Sequence, residues 1–282
     1  MLPFALGLAL AARSGVKLNM GISALGLLSV ALIMAMTFLV NEYFDFETDS
    51  VNVDFNRFSG GSRVLPQGLI LRKSVLVAAA ICAALAIVMG LIIQYHFKTG
   101  PLTIPLGLSA MLIGYAYTGK PFQLIYRGWG ELAIGVSMGW MPVYIAYYLL
   151  AGLPSGLYIH VMTLPNSISI VMALLINEYP DYISDKASGK RNFVMRFGRE
   201  KIAWFYAMLG MSIAVLFVYI GFSYFSGWRL LALGFPTILS LSLSASLLAG
   251  LWQYPTTLEK LCLGTLVLNL TTPVILIAVT IL

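Results

Sequence analysis

The chain writes nearly the same acidic phrase twice: NEYFDFETD at residues 41–49 and NEYPDYISD at 177–185. Asn, Glu, Tyr, Asp and Asp recur at the same offsets. Of eleven acidic residues, Glu42, Asp45, Glu47, Asp49 and Asp54 cluster at the first phrase, and Glu178, Asp181 and Asp185 at the second. Only Glu131, Glu200 and Glu259 lie elsewhere. Asn41, Asp45 and Asp49 fall at i, i+4 and i+8, as do Asn177, Asp181 and Asp185. On a helix each such step rotates by about 40°, so each triplet predicts one polar stripe.

The surroundings of the phrases set the fold class. The chain has 282 residues, 60% of them hydrophobic and 10% charged, with a mean hydropathy of +0.90. Soluble domains carry about 25% charged residues, so a water-surrounded monomer is excluded and an integral membrane protein is expected. Apolar runs cover 2–12, 18–40, 74–95, 102–118, 130–151, 157–177, 202–223, 229–251 and 259–281. They lack period-two alternation, which excludes an outer-membrane barrel. The expectation is an all-α membrane protein, a bundle of about nine transmembrane helices. One domain spans 1–282, with active-site loops at about 41–73 and 178–201. The first run falls short of the roughly 20 residues needed to cross a bilayer. It is either partly interfacial or the sign of a start that lies further upstream. No cleavable signal peptide is expected, because a basic n-region and a clear small-residue cleavage site are lacking.

Basic residues orient the bundle. One parity of loops holds Arg57, Arg63, Arg72, Lys73, Lys120, Arg127, Lys186, Lys190, Arg191, Arg196, Arg199, Lys201 and Lys260; the other holds Arg13, Lys17, Lys98 and Arg229. The richer side is expected to be cytoplasmic. Both acidic phrases then open to the cytoplasm, and the N-terminus lies there too. The net charge of +6 thus speaks to topology, anionic ligands and the lipid bilayer, not to nucleic acid. Cys82 and Cys262 sit in apolar runs and read as packing residues. His96 and His160 are too far apart to suggest zinc. No obligate protein partner is implied.

Like charges along one stripe repel, which makes sense if a cation lies between them. An oxygen-only donor set suits Mg²⁺ or Ca²⁺ rather than zinc. Mg²⁺ uses one or two carboxylates and completes its shell with water and bound phosphate. Two stripes would then clamp a diphosphate. Arg57, Arg63, Lys120, Lys186, Lys190 and Arg191 are placed to contact its remaining oxygens. In a membrane the natural ligand is a lipid diphosphate with its apolar chain between the helices. If that lipid is allylic, neutralised diphosphate becomes a leaving group, and Phe or Tyr faces can stabilise the allyl cation. A single phrase would equally suit a solvated helix end, but acidic residues there oppose the helix dipole.

These residues resemble the UbiA superfamily of intramembrane aromatic prenyltransferases. NEYFDFETD and DYISD match its two aspartate-rich motifs, and the resemblance covers nearly the whole chain. GGSRVLPQGLI at 60–70, YTGKPFQLIYRGWGE at 117–131 and DKASGKRNFVMRFG at 185–198 are similar to its menaquinone-pathway branch. That branch joins a polyprenyl diphosphate to 1,4-dihydroxy-2-naphthoate with loss of CO₂. The resemblance implies a catalytic set of Asp45, Asp49, Asp181 and Asp185 which, with Asn41, holds Mg²⁺ and diphosphate. Asn177 takes the matching place in the second motif. Arg63, Lys120, Lys190 and Arg191 would contact diphosphate oxygens. Tyr117 and Tyr126 would face the cation or the acceptor ring, or else belong to an interfacial belt. Glu131 would orient an acceptor hydroxyl or pair with a base such as Arg127. Two positions depart from the pattern: Glu42 stands where many relatives have Asp, and Pro180 where Arg is common in this branch. Other UbiA-type acceptors fit the same motifs: 4-hydroxybenzoate or another quinone precursor, a porphyrinoid, a glycerol-based lipid. A transporter is the competing class, and a lipid-phosphate-binding scaffold a third. Against transport, the acids lie at span ends while the span centres are almost free of charge.

Overall fold

A computed structural model describes residues 1–51, 61–154, 156–187 and 189–282. Arg57 and Asp54 lie outside the described residues. Among the described residues there are helices and turns but no strand. The helices are α1 (Leu2–Arg13), α2 (Met20–Val51), α3 (Arg72–Leu91), α4 (Thr103–Thr118), α5 (Gly130–Ile134), α6 (Met141–Ala151), α7 (Tyr158–Asn177), α8 (Tyr182–Ala187), α9 (Phe193–Phe197), α10 (Arg199–Tyr224), α11 (Trp228–Leu248) and α12 (Pro255–Ile281). A π-turn, Gly135–Trp140, joins α5 to α6, so 130–151 forms one continuous span.

Seven of these stretches are long and apolar enough to cross a membrane among the described residues, while Leu2–Arg13 is a shorter apolar helix. Thr103–Thr118 has 16 residues. Their outward faces are apolar: Phe222, Ile238 and Leu231 are exposed, the last at 81%. That is the reverse of a water-soluble surface and the arrangement a lipid solvent selects. The protein is a multi-pass membrane protein.

The main core lies where α7, α10, α11 and α12 meet, around Met172, Leu175, Tyr206, Phe217 and Leu268. A second cluster, with Phe4, Ile22, Val30 and Ala146, joins α1, α2 and α6. Gly7 permits that second junction. A Cβ there would lie 2.2 Å from the Val143 carbonyl oxygen, so only glycine lets α1 lie against α6.

Two local departures from the expected layout shape the site. α2 does not stop near residue 40 but runs on to Val51, because the segment beyond 40 holds no Pro or Gly to break it. The first acidic phrase is therefore helix, not loop. The second phrase is broken: α7 ends at Asn177 and α8 begins at Tyr182. Pro180 lacks an N–H, its ring displaces the carbonyl four residues back, and it disfavours helix at the residue before it. Tyr179 N–H accordingly falls back to Ile176 O, a bond of the i+3 type at 3.3 Å. The second stripe is two turns in sequence but not one helix.

Candidate active site

On α2 the face carrying Asn41, Asp45 and Asp49 meets neighbours at each level. Asn41 Oδ1 accepts from Thr118 Oγ1 at 2.7 Å, at the end of α4. Asp45 Oδ1 accepts from the Tyr126 hydroxyl at 3.1 Å, from the short 3-10 turn Leu124–Arg127. At Asp49 the chain returns closely. Gly61, with φ of 70°, sits where a Cβ would be 2.4 Å from Asp49 Oδ2. Arg63, itself left-handed at 62°, donates from Nη1 to the Asp49 carbonyl. That bond satisfies one of the last carbonyls of α2.

Glu42 and Glu47 do not join the stripe. Glu42 accepts from Ser62 N at 3.0 Å and Ser62 Oγ at 2.8 Å, and so ties down the returning loop. Glu47 pairs with Arg72 at 3.4 Å, whose guanidinium also lies 4.4 Å from the Tyr43 ring centroid.

The second motif is brought opposite the first through Lys190. Its Nζ lies 3.3 Å from Asp185 Oδ1 and 5.8 Å from the Tyr126 ring centroid. Burial alone would favour a neutral amine, but the negative field of Asp45, Asp185 and Asp49 outweighs it and raises the Lys190 pKa. Lys190 is thus an ammonium lying between the two acidic motifs. Tyr126 is pushed up to about 12, by burial first and then by Asp45, so it remains a hydrogen-bond donor at neutral pH.

Asp185 is 6% exposed. Its backbone N–H donates to Asp181 O at 2.8 Å, the one helical turn that the second motif keeps. Asn177, the last residue of α7, lines a cavity of about 500 Å³ that runs into the bundle. The cavity wall is mostly apolar, with Val30, Ile33 and Met34 of α2, Met138 of the π-turn and Leu174 of α7, and carries Asn166 and Asn269 as well. An apolar chamber that reaches Asn177, in the second acidic motif, suits an amphiphile whose head stays at the helix ends.

The structure brings together Asn41, Asp45, Asp49, Asp185, Lys190 and Tyr126, with Arg63 beside Asp49. Asp181 stands one turn from Asp185, within the field of Asp49. Tyr117 is half-buried in α4, with Glu178, Glu131, Asp45 and Asp185 around it. Lys120 and Arg191 are exposed, and neither side chain has a polar partner among the described residues. Glu131 does not pair with Arg127, which donates instead to Pro121 O at 2.8 Å. Glu131 is 1% exposed and accepts from the Phe193 N–H, so it reaches the start of α9. Glu178, also buried, has both carboxyl oxygens without a hydrogen bond among the described residues. Burial first, then Glu131 and Asp185, hold its pKa well above the carboxylate range.

Sequence reading missed Asn192, 1% exposed, whose side chain bonds both Asp185 and Met195. The signal was there: an Asn directly before a short apolar stretch is an N-cap signature.

Among the described residues no three His, Cys, Asp or Glu side chains are close enough to form a ready-made metal site. The donor set still fits Mg²⁺. It is all oxygen, and it sits on two elements linked through Lys190 and Tyr126, the first beside Asp185 and the second bonded to Asp45. Mg²⁺ keeps several waters and borrows ligands from phosphate, so one carboxylate from each side suffices.

The sequence model of the UbiA prenyltransferase family matches residues 1–278. The 1,4-dihydroxy-2-naphthoate octaprenyltransferase of Bacillus subtilis is 28% identical over 210 residues, 73% of this chain and 63% of that protein. The chain thus spans less than two thirds of that relative's length. Among solved structures, a UbiA homologue from Aeropyrum pernix superposes with a TM-score of 0.73 at 16% identity, covering 98% of this chain and 95% of that one. A UbiA homologue from Archaeoglobus fulgidus, solved with DMAPP and Mg²⁺, gives 0.60 at 17% identity, with coverage of 98% and 95%.

Proposed function

Because the chain belongs to the UbiA prenyltransferase family, we propose that it transfers a polyprenyl group from polyprenyl diphosphate to an aromatic acceptor, 1,4-dihydroxy-2-naphthoate. The observation that carries this reading is Lys190, an ammonium 3.3 Å from Asp185 and held in the field of Asp45 and Asp49, with Asn177 of the same motif as Asp185 lining an apolar cavity. The similarity to a naphthoate octaprenyltransferase supports the acceptor.

Asp45 and Asp49 from α2, and Asp181 and Asp185 from the second motif, would hold Mg²⁺, with Asn41 beside them. Bound there, Mg²⁺ would neutralise the diphosphate and make it a better leaving group. Lys190 and Arg63 would contact diphosphate oxygens, as would Lys120 and Arg191, whose side chains are exposed. Asn177 marks where the polar head gives way to the apolar chain, which the cavity keeps from water. The C1–O bond breaks and its electron pair leaves with the diphosphate. The ring carbon of the acceptor supplies the pair for the new C–C bond. Departure of its carboxylate as CO₂ returns a pair to the ring, giving the demethylmenaquinone skeleton at the quinol level. The faces of Tyr117 and Tyr126 can shield the developing allyl cation.

The excess of basic residues on the loops of the acidic end supports an orientation with that end, and the N-terminus, in the cytoplasm. The enzyme would sit in the cytoplasmic membrane and draw its donor from the bilayer.

The test is turnover by detergent-purified protein given geranylgeranyl diphosphate, Mg²⁺ and a panel of aromatic acceptors, with products identified by mass. An EDTA-sensitive naphthoquinol lacking the carboxylate is expected. A product from a different acceptor alone would move the acceptor assignment. Absence of any product, in folded protein that binds diphosphate, would overturn the transferase reading.

A further inference from the structure

Asn192 sits at a junction that the proposed chemistry does not use directly. It is the N-cap of α9, and its Oδ1 accepts from Met195 N–H at 2.9 Å. Its other side-chain atom, Nδ2, donates to Asp185 Oδ2 at 2.8 Å. Asp185 Oδ1, by contrast, faces Lys190 Nζ at 3.3 Å. The two oxygens of one carboxylate are therefore told apart. Oδ2 is turned back into the protein and held by an amide. Oδ1 is turned toward the ammonium that also feels Asp45 and Asp49.

The residue after Asn192 is tied down separately, since Phe193 N–H donates to Glu131 at the start of α5. Asn192 is thus fixed twice over, by its own cap and by the Glu131 bond one residue on. A side chain held in this way can set the orientation of its partner rather than follow it.

We infer that Asn192 is a positioning residue for the second acidic motif. By holding Asp185 Oδ2, it turns Oδ1 toward Lys190 and the first motif, and so sets the orientation in which Asp185 would serve a divalent cation. The inference rests on the proposed Mg²⁺–diphosphate reading of the site and deepens it.

The alternative is that Asn192 merely caps α9. Asn192→Ser and Asn192→Asp separate the two roles. Ser and Asp are both good caps and keep an oxygen for Met195 N–H, but neither can donate an amide hydrogen to Asp185. The readouts are thermal stability of the full chain in detergent, the added stabilisation from inorganic diphosphate with Mg²⁺, and the Mg²⁺ dependence of turnover. With Asn192→Ser, unliganded stability should fall by no more than the loss of one buried hydrogen bond, since the α9 cap is kept. The Mg²⁺ concentration needed for half of the diphosphate-induced stabilisation should rise about 10–100-fold, the usual effect of losing such a supporting contact. Saturating Mg²⁺ should restore much of the rate. Asn192→Asp, whose carboxylate repels Asp185 and cannot hold Oδ2, should also move the Mg²⁺ requirement away from the wild-type value and decides the matter if the Ser variant cannot be purified. Variants with a wild-type Mg²⁺ requirement overturn the inference, as does a rate loss that no Mg²⁺ concentration restores. Wild-type protein showing no Mg²⁺-dependent stabilisation by diphosphate would instead defeat the reading on which the inference rests.

Discussion

Removing the charge of Lys190 is the sharpest perturbation of this site. In Lys190→Met the side chain keeps its length and apolar stem but loses the ammonium. The contact to Asp185 Oδ1 is 3.3 Å. At an effective dielectric of about 20, that separation corresponds to roughly 5 kcal/mol of gross attraction. Desolvation offsets part of it, and removing one partner of a buried pair costs about 3–5 kcal/mol. The Lys190 side chain is 16% exposed, so solvent screens some of the loss and about 3 kcal/mol is the value to expect. It would show as lower thermal stability of the unliganded protein in detergent, because Asp45, Asp49 and Asp185 lose the charge between them. Added Mg²⁺ should recover part of it and stabilise the variant more than the wild type. Turnover should respond separately. Loss of one hydrogen bond to a charged diphosphate is worth about 1.5–3 kcal/mol, which is roughly 10–150-fold in kcat/KM for the donor. A Lys190→Met protein with wild-type stability, an unchanged response to Mg²⁺ and near-normal kcat/KM would refute the placement of Lys190 between the motifs.

Other perturbations test the remaining parts. Asp45→Ala and Asp181→Ala should each abolish turnover while leaving protein that inserts and purifies normally; near-normal rates in both would sink the two-motif clamp. Gly61→Ala places a Cβ 2.4 Å from Asp49 Oδ2 on a backbone with φ of 70°. It should cost about 1–3 kcal/mol locally and lower activity more than global stability, as read by kinetics beside a melting curve. Tyr126→Phe removes the hydroxyl that donates to Asp45 at 3.1 Å, worth about 0.5–1.5 kcal/mol; a several-fold drop in kcat/KM with unchanged expression is expected. Glu131→Gln keeps an acceptor for Phe193 N–H and should be tolerated, whereas Glu131→Leu leaves that N–H buried and unpaired. The Leu variant should be destabilised by about 1–3 kcal/mol relative to Gln, measurable as a gap in thermal stability.

Much of this protein follows from local pattern. Hydropathy alone announces the apolar spans, because lipid demands that each helix satisfy its own backbone and face outward with apolar side chains. The spacing of Asn41, Asp45 and Asp49 announces one helical face, because helix geometry is set by residues within a turn of one another. The continuation of α2 to Val51, where a loop from residue 41 was expected, also has a local cause, since nothing between 40 and 51 breaks a helix. Pro180 stood in plain view, and its consequence, two short elements in place of one stripe, is again local chemistry. What local pattern cannot supply is which charge meets which. Lys190 and Asp45 are far apart in sequence, and only the packing of α2 against the turn after α7 brings their fields together. The same packing turns Glu42 aside to hold Ser62, though it belongs to the acidic phrase and differs from Asp45 only in the face it occupies. It buries Glu131 against Phe193 rather than beside Arg127, and it gives Asn192 an aspartate to orient. Spacing is decided within one helix. Partnership is decided where helices from distant parts of the chain converge, because a side chain reaches only a few ångströms and the fold alone determines what lies there.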